Sequence, residues 1–321
     1  MKKKFKKVLL LFLLVFVLTG CTTVLKDKEK DEVVYYENDS VKITLNENIL
    51  CQPENQGVIE KYNEYKEQID IDKLPKCSEF KLTDSNYEGI WENIFVKPLA
   101  WLIIKINGVC GNYGLAIIIL GLLLRLVLSP FTQKTAMQSE NMKELQPELE
   151  KINKKYEGKN DQESMQKKSM ETMQLYKKYG VNPFSSCLFA FIQIPLLIAF
   201  YEAANRVPVI FEGNLFGLVL GTTPLKAVTS GHYEYALIVI LIVVTTIISQ
   251  RLNRTATTPQ SQGGMNPNVM MNIMVVMIAI MSINFSVALS LYWIASTLFT
   301  IGQNLLAKYL KKRKAEKKQK A

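Results

Sequence analysis

Leu115-Ala-Ile-Ile-Ile-Leu-Gly-Leu-Leu-Leu-Arg125-Leu-Val-Leu-Ser-Pro130 is an apolar run with one guanidinium inside it. A run of this length and apolarity reads as a helix that crosses a bilayer. A charge at the centre of such a helix costs about 2.5–3.5 kcal/mol on insertion scales, so it faces water or a partner, or it lies close enough to an end to reach out. If the helix stops at Pro130, Arg125 lies about 7–8 Å from the end and its long side chain can snorkel. If the helix runs on through Thr132, the arginine lies deeper and needs another solution.

Outward from this run the chain alternates between apolar stretches and strongly charged ones. The 321 residues are 48% hydrophobic and 21% charged, with net charge +10 and a mean hydropathy of +0.07. Those averages conceal two regimes, the signature of a membrane protein with soluble loops. Apolar stretches near 113–130, 184–204, 234–250, 269–284 and 286–307 predict five spans, the fourth of them short. Ile90 to Asn107 carries apolar residues at helical spacing with charges between them. It predicts an amphipathic helix on the outer membrane surface, with Trp91 and Trp101 at headgroup level.

The N-terminus fixes the orientation. Lys2, Lys3, Lys4, Lys6 and Lys7 precede the apolar run Val8 to Leu18, and Leu18-Thr19-Gly20-Cys21 follows. A basic region, a short apolar core and small residues before the cut make a secretory signal over 1–20. The cysteine after Leu-Thr-Gly resembles the lipobox of bacterial lipoproteins. That resemblance implies cleavage before Cys21 and lipid attachment to it, through diacylglycerol and an acyl chain such as palmitate. The segment 21–89 then starts outside. Five crossings place 131–183, 251–268 and 308–321 in the cytoplasm. The lysine distribution agrees, because 205–233 holds only Arg206 and Lys226, whereas 131–183 and the tail after Leu310 are lysine-rich.

Within the exported segment, Thr22 to Asp31 reads as a flexible tether. Val33 to Tyr36 and Val41 to Leu45 read as strands, and Gln56 to Ile69 as a short helix. Cys51 and Cys77 both lie here, so a disulfide between them, two free thiols or a pairing with Cys110 are all open. In the first cytoplasmic segment Met142, Leu145, Leu149, Ile152 and Tyr156 recur at helical spacing. A turn follows at Gly158 to Asp161, and a second helical pattern runs to Tyr179. The expectation is an antiparallel helical hairpin over 134–180, with a kink or restart at Pro147.

Polar residues on the other spans bear on Arg125. Ser286, Ser290, Trp293, Thr297, Thr300 and Asn304 form one helical face of the last span. The second span offers Ser185, Ser186 and Gln193, and the third Thr245, Thr246 and Ser249. Singly, such groups belong to helix packing. With an arginine and no midplane carboxylate, they predict a cavity open to water rather than a closed ion pair. Methionines 265, 270, 271, 274, 277 and 281 crowd the fourth span and the loop before it. Such a flexible surface can accommodate varied apolar partners. His232 is the single histidine, so metal pairs and histidine-based triads are excluded by count. With no phosphate-cradling glycine motif either, the chain is expected to be no enzyme and to hold no metal or cofactor. Its basic residues are not interleaved with stacking aromatics, which speaks against DNA.

Several stretches together resemble one family. They are Arg125-Leu-Val-Leu-Ser-Pro-Phe-Thr-Gln-Lys134, Leu145-Gln-Pro-Glu148 with Lys155-Tyr156, Tyr179-Gly-Val-Asn-Pro-Phe184, Gln193-Ile-Pro195, and Leu291-Tyr-Trp-Ile-Ala-Ser296 through Gly302-Gln303. In order and spacing they resemble the YidC insertases of Gram-positive bacteria, relatives of the Oxa and Alb insertases, over about 90–310. The resemblance implies an all-α polytopic membrane protein of the bacterial cell membrane. Five transmembrane helices would enclose a hydrophilic groove open to the cytoplasm, beside a cytoplasmic hairpin and an extracellular amphipathic helix. It implies that Arg125, Gln193 and Trp293 line the groove. Ser290 and Thr297, on the polar face of the last span, are candidate neighbours. It further implies nascent membrane proteins as substrates, the Sec translocon as partner, and a basic tail, 311–321, that assists ribosome binding. A secondary transporter or channel is the alternative, but that reading predicts internal repeats and midplane ionisable residues that this chain lacks. A lipoprotein receptor would leave the spans and the hairpin unexplained.

Overall fold

A computed structural model describes residues 23–38, 41–84, 89–159, 161–181, 185–252 and 267–319. The signal segment, the lipobox and Cys21 lie outside the described residues, as does most of the loop 251–268. The chain divides into two compact units. One comprises 1–120, 194–238 and 283–292; the other comprises 121–193, 239–282 and 293–321.

The first unit opens with a small folded domain. β1 (Lys26–Asp27) pairs antiparallel with β2 (Glu32–Val33), and β3 (Tyr35–Asn38) with β4 (Val41–Thr44). Alternation in Val41-Lys42-Ile43-Thr44 turns Val41 and Ile43 inward and leaves Lys42 exposed, as the two-residue period of a strand requires. α1 (Gln56–Asn63) starts at Asn55, whose side chain accepts from the backbone N–H groups of Gly57 and Val58 at 2.9 and 3.3 Å. The helix ends earlier than its apolar pattern suggested, and Ile71–Lys73 adds a single 3-10 turn. Leu25, Ile43, Leu45, Val58 and Tyr62 form the core, and Tyr62 Oη donates to the Asn46 carbonyl at 2.9 Å. Residues 23–31 are therefore no tether. Leu25 is fully buried, Val24 bridges to Asn46, and the Leu25 N–H donates to the Leu45 carbonyl at 2.9 Å. The polar composition of 26–31 hid one buried leucine and a two-residue strand. A disulfide joins Cys51 to Cys77, with their Cα atoms 4.9 Å apart.

This domain is built onto the segment that follows the second apolar stretch. Phe211 and Val219 belong to its core. The Leu50 N–H donates to the Arg206 carbonyl at 2.7 Å, Asn46 Nδ2 to the Asn205 carbonyl at 2.7 Å, and Thr222 Oγ1 to the Lys42 carbonyl at 3.0 Å.

After the domain, a π-helical turn, Glu92–Val96, runs into α2 (Lys97–Cys110), which Gly111 closes at φ +71°. Expected as an amphipathic surface helix, this element is long and apolar enough to cross a membrane, and it buries Glu92 and Lys97. α3 (Tyr113–Lys155) and α4 (Gln162–Lys178) follow. α5 (Ser185–Arg206) leads to the short α6 (Pro208–Phe211), the hairpin of β5 (Asn214–Leu215) with β6 (Leu218–Val219), and α7 (Pro224–Thr229). α8 (Ala236–Leu252), α9 (Pro267–Ile283) and α10 (Val287–Gln319) complete the chain. Among the described residues, three stretches meet the length and hydropathy of a span: Glu92–Cys110, Tyr113–Pro130 and Tyr233–Leu252. Asn272–Ile283 is apolar but shorter.

Two helices run beyond their apolar stretches. α3 continues for 43 residues with Pro130 and Pro147 inside it, so neither proline ends the helix. The basic tail is helical, because α10 carries on through Lys311 and Lys312 to Gln319.

Candidate functional site

Arg125 is 5% exposed, on a helix that runs unbroken past Thr132. The condition under which snorkelling loses its force is therefore met. Seven residues on, which is about two helical turns and returns nearly to the same face, Thr132 is also buried. Its hydroxyl donates to Gln303 Oε1 on α10 at 3.0 Å and lies 3.2 Å from the Leu128 carbonyl of its own helix. A threonine that satisfies both its own helix and a neighbouring one holds two helices in register.

On α10 the polar face is largely withdrawn from the surface: Ser296, Thr297, Gln303 and Asn304 are all buried. Trp293, half-buried, donates from its indole Nε1 to Thr246 Oγ1 on α8 at 3.3 Å. Thr245, beside it, returns its hydroxyl to the Leu241 carbonyl at 2.7 Å. The Ser296 hydroxyl and the Asn304 amide nitrogen are buried and have no hydrogen-bond partner among the described residues. Buried polar atoms of this kind are the places where proteins hold ordered water.

Arg125, Gln193, Trp293 and Thr297 fall in the same compact unit, with Gln193 half-buried on α5. Ser290 is buried too but belongs to the other unit. The side chains of Ser185 and Ser186 lie outside the described residues. Sequence reading missed Thr132 and Gln303 as a buried pair. Both stand within longer motifs of the sequence, and the available signal was the position of Thr132 seven residues after Arg125, on the same helical face. Met274, Met277 and Met281 are each about half exposed along α9, pointing away from the protein interior.

The hairpin is the same unit's other feature. Leu145 and Leu149 of α3 pack against Leu175 and Tyr176 of α4 and against Val181. Asp161 caps α4 by accepting from the Ser164 N–H at 2.8 Å. Across the hairpin, Glu171 accepts from Lys155 at 2.6 Å and from Tyr156 Oη at 2.9 Å, and these bonds hold its carboxyl below the usual range. Tyr179 Oη donates to Glu148 by a short bond.

The first unit contains an ionic cluster of its own. Glu92, Lys97 and Arg206 are almost fully buried. Arg206 Nη2 stands 3.2 Å from Glu92 Oε1, Lys97 Nζ 3.8 Å from the same oxygen, and Arg206 Nε donates to the Asn48 carbonyl at 2.5 Å. Trp91 Nε1 donates to Glu202 Oε1 at 3.2 Å. Nearby in sequence, Glu212 Oε2 accepts from the backbone N–H groups of Glu54 and Asn55, both at 3.1 Å. Burial pushes its carboxyl up to about 7 despite those bonds.

These features define a class: a helical membrane protein with a buried cation, polar contacts between its helices and a polar helical hairpin. Comparison with known proteins narrows it. Residues 105–316 match the family model described as 60Kd inner membrane protein. Among curated proteins, the chain is 38% identical over 225 residues to membrane protein insertase YidC of Oceanobacillus iheyensis, covering 69% of this chain and 84% of that one. It is 39% identical over 223 residues to membrane protein insertase YidC 2 of Bacillus anthracis, covering 68% and 82%. With membrane protein insertase MisCA of Bacillus subtilis it shares 38% identity over 241 residues, covering 73% and 86%. The chain belongs to this family, the YidC-type membrane protein insertases.

Proposed function

We propose that this chain inserts nascent membrane proteins into the bacterial cell membrane, alone or beside the Sec translocon, through a hydrophilic groove open to the cytoplasm. Family membership supports the activity. The groove reading is carried by one observation: Arg125 is buried on a helix that continues past it, and the same compact unit buries Ser296 and Asn304, whose hydroxyl and amide nitrogen have no hydrogen-bond partner among the described residues. An arginine in that position is tolerated when water and polar side chains replace the hydration it loses.

The mechanism follows from what a substrate must do. Its apolar segment enters lipid without assistance, but the polar segment beyond it must cross the hydrocarbon core, where each unsatisfied backbone group costs several kcal/mol. A wet groove through part of the bilayer shortens that barrier. Arg125 would attract acidic groups of the polar segment for the moment of transfer, with Gln193, Trp293 and Thr297 as polar lining. Ser290 would lie further along the same helix. The hairpin 134–180 would receive the substrate, and the basic end of α10, 311–321, would meet the ribosome. Cys21 would carry lipid outside, and the C-terminus would lie in the cytoplasm.

The test is depletion in a strain without a second copy, following integration of small proteins with one or two spans. Arg125→Ala is expected to impair substrates with acidic external segments first, and Arg125→Lys to keep part of the activity. Normal integration after depletion sinks the insertase reading. An Arg125→Lys variant as defective as Arg125→Ala shows that positive charge alone is not what the site supplies.

A further inference from the structure

The β5–β6 hairpin places an aromatic residue where proteins rarely leave one. Phe216 is 90% exposed and sits at φ +53°, with Gly217 following at φ +82°. Two successive left-handed residues make the tight turn that joins paired strands, and the first is usually Asn, Asp or Gly, because a bulky side chain is strained there. Around it, Asn214-Leu-Phe-Gly-Leu-Val-Leu-Gly221 contains no charge. In water, such a tip would be both strained and apolar.

Its position relative to α3 says what surrounds it. Asn112, the residue just before the candidate span Tyr113–Pro130, donates from Nδ2 to the Asn214 carbonyl at 2.9 Å. Gly114 is so close to β5 that a Cβ there would come within 2.6 Å of Leu215 Cβ. Asn214 is thus level with Asn112 and Leu215 with Gly114, so the hairpin runs in the same direction as the span. At about 3.3 Å per strand residue, Phe216 stands roughly 6 Å beyond the start of the span. Leu115 and Ile119, on the first turns of that helix, are themselves more than a third exposed.

We infer that the 214–219 hairpin is a wedge that dips beside the first span and seats Phe216 among the lipids of the outer leaflet. The inference rests on the proposed topology, in which 205–233 lies outside. An uncharged aromatic tip a few ångströms inside the start of a span matches the boundary between headgroups and acyl chains, where aromatic and leucine side chains settle. Lipid, rather than a second protein, is the occupant because the hairpin offers no charged or hydrogen-bonding rim and its axis follows the span.

The experiment uses the full chain with Cys110→Ser and Cys187→Ser, carrying either Phe216→Cys or Leu82→Cys. Leu82 is a 43%-exposed position of the folded outer domain and serves as the reference. In cells, a membrane-impermeant maleimide is expected to label position 82 and to spare position 216. In vesicles of phosphatidylethanolamine and phosphatidylglycerol, a polarity-sensitive dye at 216 is expected to be quenched several-fold more by acyl-chain nitroxide lipid than the same dye at 82. Equal labelling of both positions from outside overturns the wedge while leaving the topology intact. Position 216 protected from the maleimide but untouched by nitroxide lipid means that protein covers it, which also overturns the proposal. No labelling at 82 overturns the topology, and the wedge with it.

Discussion

Glu212 makes the attachment of the 23–84 domain sensitive to pH in a direction the structure fixes. Its carboxyl titrates at about 7 rather than 4.5, because burial outweighs the two backbone N–H donors of Glu54 and Asn55; the neighbouring Glu54 charge adds to the rise. Oε1 is buried with no hydrogen-bond partner among the described residues, so the ionised form leaves one lone-pair-bearing oxygen unsolvated. The folded state therefore holds a proton more tightly than the unfolded chain. The contribution is fully present below pH 4.5 and is lost as pH rises through about 7. At about 1.36 kcal/mol per unit, that loss is on the order of 3 kcal/mol. Glu212→Gln keeps an acceptor oxygen for the Glu54 and Asn55 N–H groups and removes the charge. Purified protein would be unfolded thermally at pH 5 and pH 8. The variant is expected to match the parent at pH 5 and to exceed it at pH 8 by roughly 6–12 °C, using 2–4 °C per kcal/mol for a unit of this size. A variant no more stable than the parent at pH 8, with the same pH dependence, would refute the reasoning.

Three further outcomes follow from buried contacts. Glu92→Ala removes the carboxylate 3.2 Å from Arg206 and 3.8 Å from Lys97, and breaking a buried ion pair costs about 3–5 kcal/mol; because Glu202 also feels the Arg206 charge, the low end is expected. Limited proteolysis of residues 23–84 should accelerate in that variant, and unchanged cleavage would show that the cluster does not hold the domain. Thr132→Val leaves Gln303 Oε1 without its donor in a buried site and should cost about 1–3 kcal/mol, with much of the loss recovered by adding Gln303→Leu. Additive losses in the double variant would argue against a direct contact. Leu145→Ala, at a fully buried hairpin position, should cost about 2–5 kcal/mol and raise hydrogen exchange in α4 while leaving exchange in α1 unchanged.

What sequence could read depended on whether a signal was periodic. The apolar run around Arg125, the hairpin leucines and the strands 33–36 and 41–45 carry their period in side-chain type, and the structure forms helices and strands there. The folding of 23–31 was not legible, since a single buried leucine ahead of a charged run has no period to detect. Pro130 and Pro147 left the end of the helix open for a different reason. A proline removes one hydrogen bond and crowds the preceding turn, but packing on both sides can offset that cost and carry the helix through. The site was legible in part. The arginine and the α10 face stood out against apolar surroundings, whereas the Thr132–Gln303 contact needed the relative rotation of two helices, which no single span encodes. The attachment of the exported domain to 205–222 was equally hidden, because it runs largely through backbone carbonyls that any sequence possesses.

The unbroken helix sharpens the question with which the sequence opened. A snorkelling arginine reaches an aqueous end along its own helix, and the polar groups nearest that end are then exposed. Here the order is reversed. Arg125 is buried, and Thr132, about 10 Å further toward the hairpin at 1.5 Å per residue, is buried as well and committed to Gln303. Its neighbours along α10, Ser296, Thr297 and Asn304, are withdrawn from the surface over the same stretch. Singly, such groups serve helix packing, but burying several of them carries a desolvation cost that hydrogen-bonding partners must offset. In the proposed groove, their spacing along α10 would supply successive hydrogen-bonding positions for water or for a passing backbone. That continuity of polar groups, more than the arginine by itself, is what the proposed groove rests on.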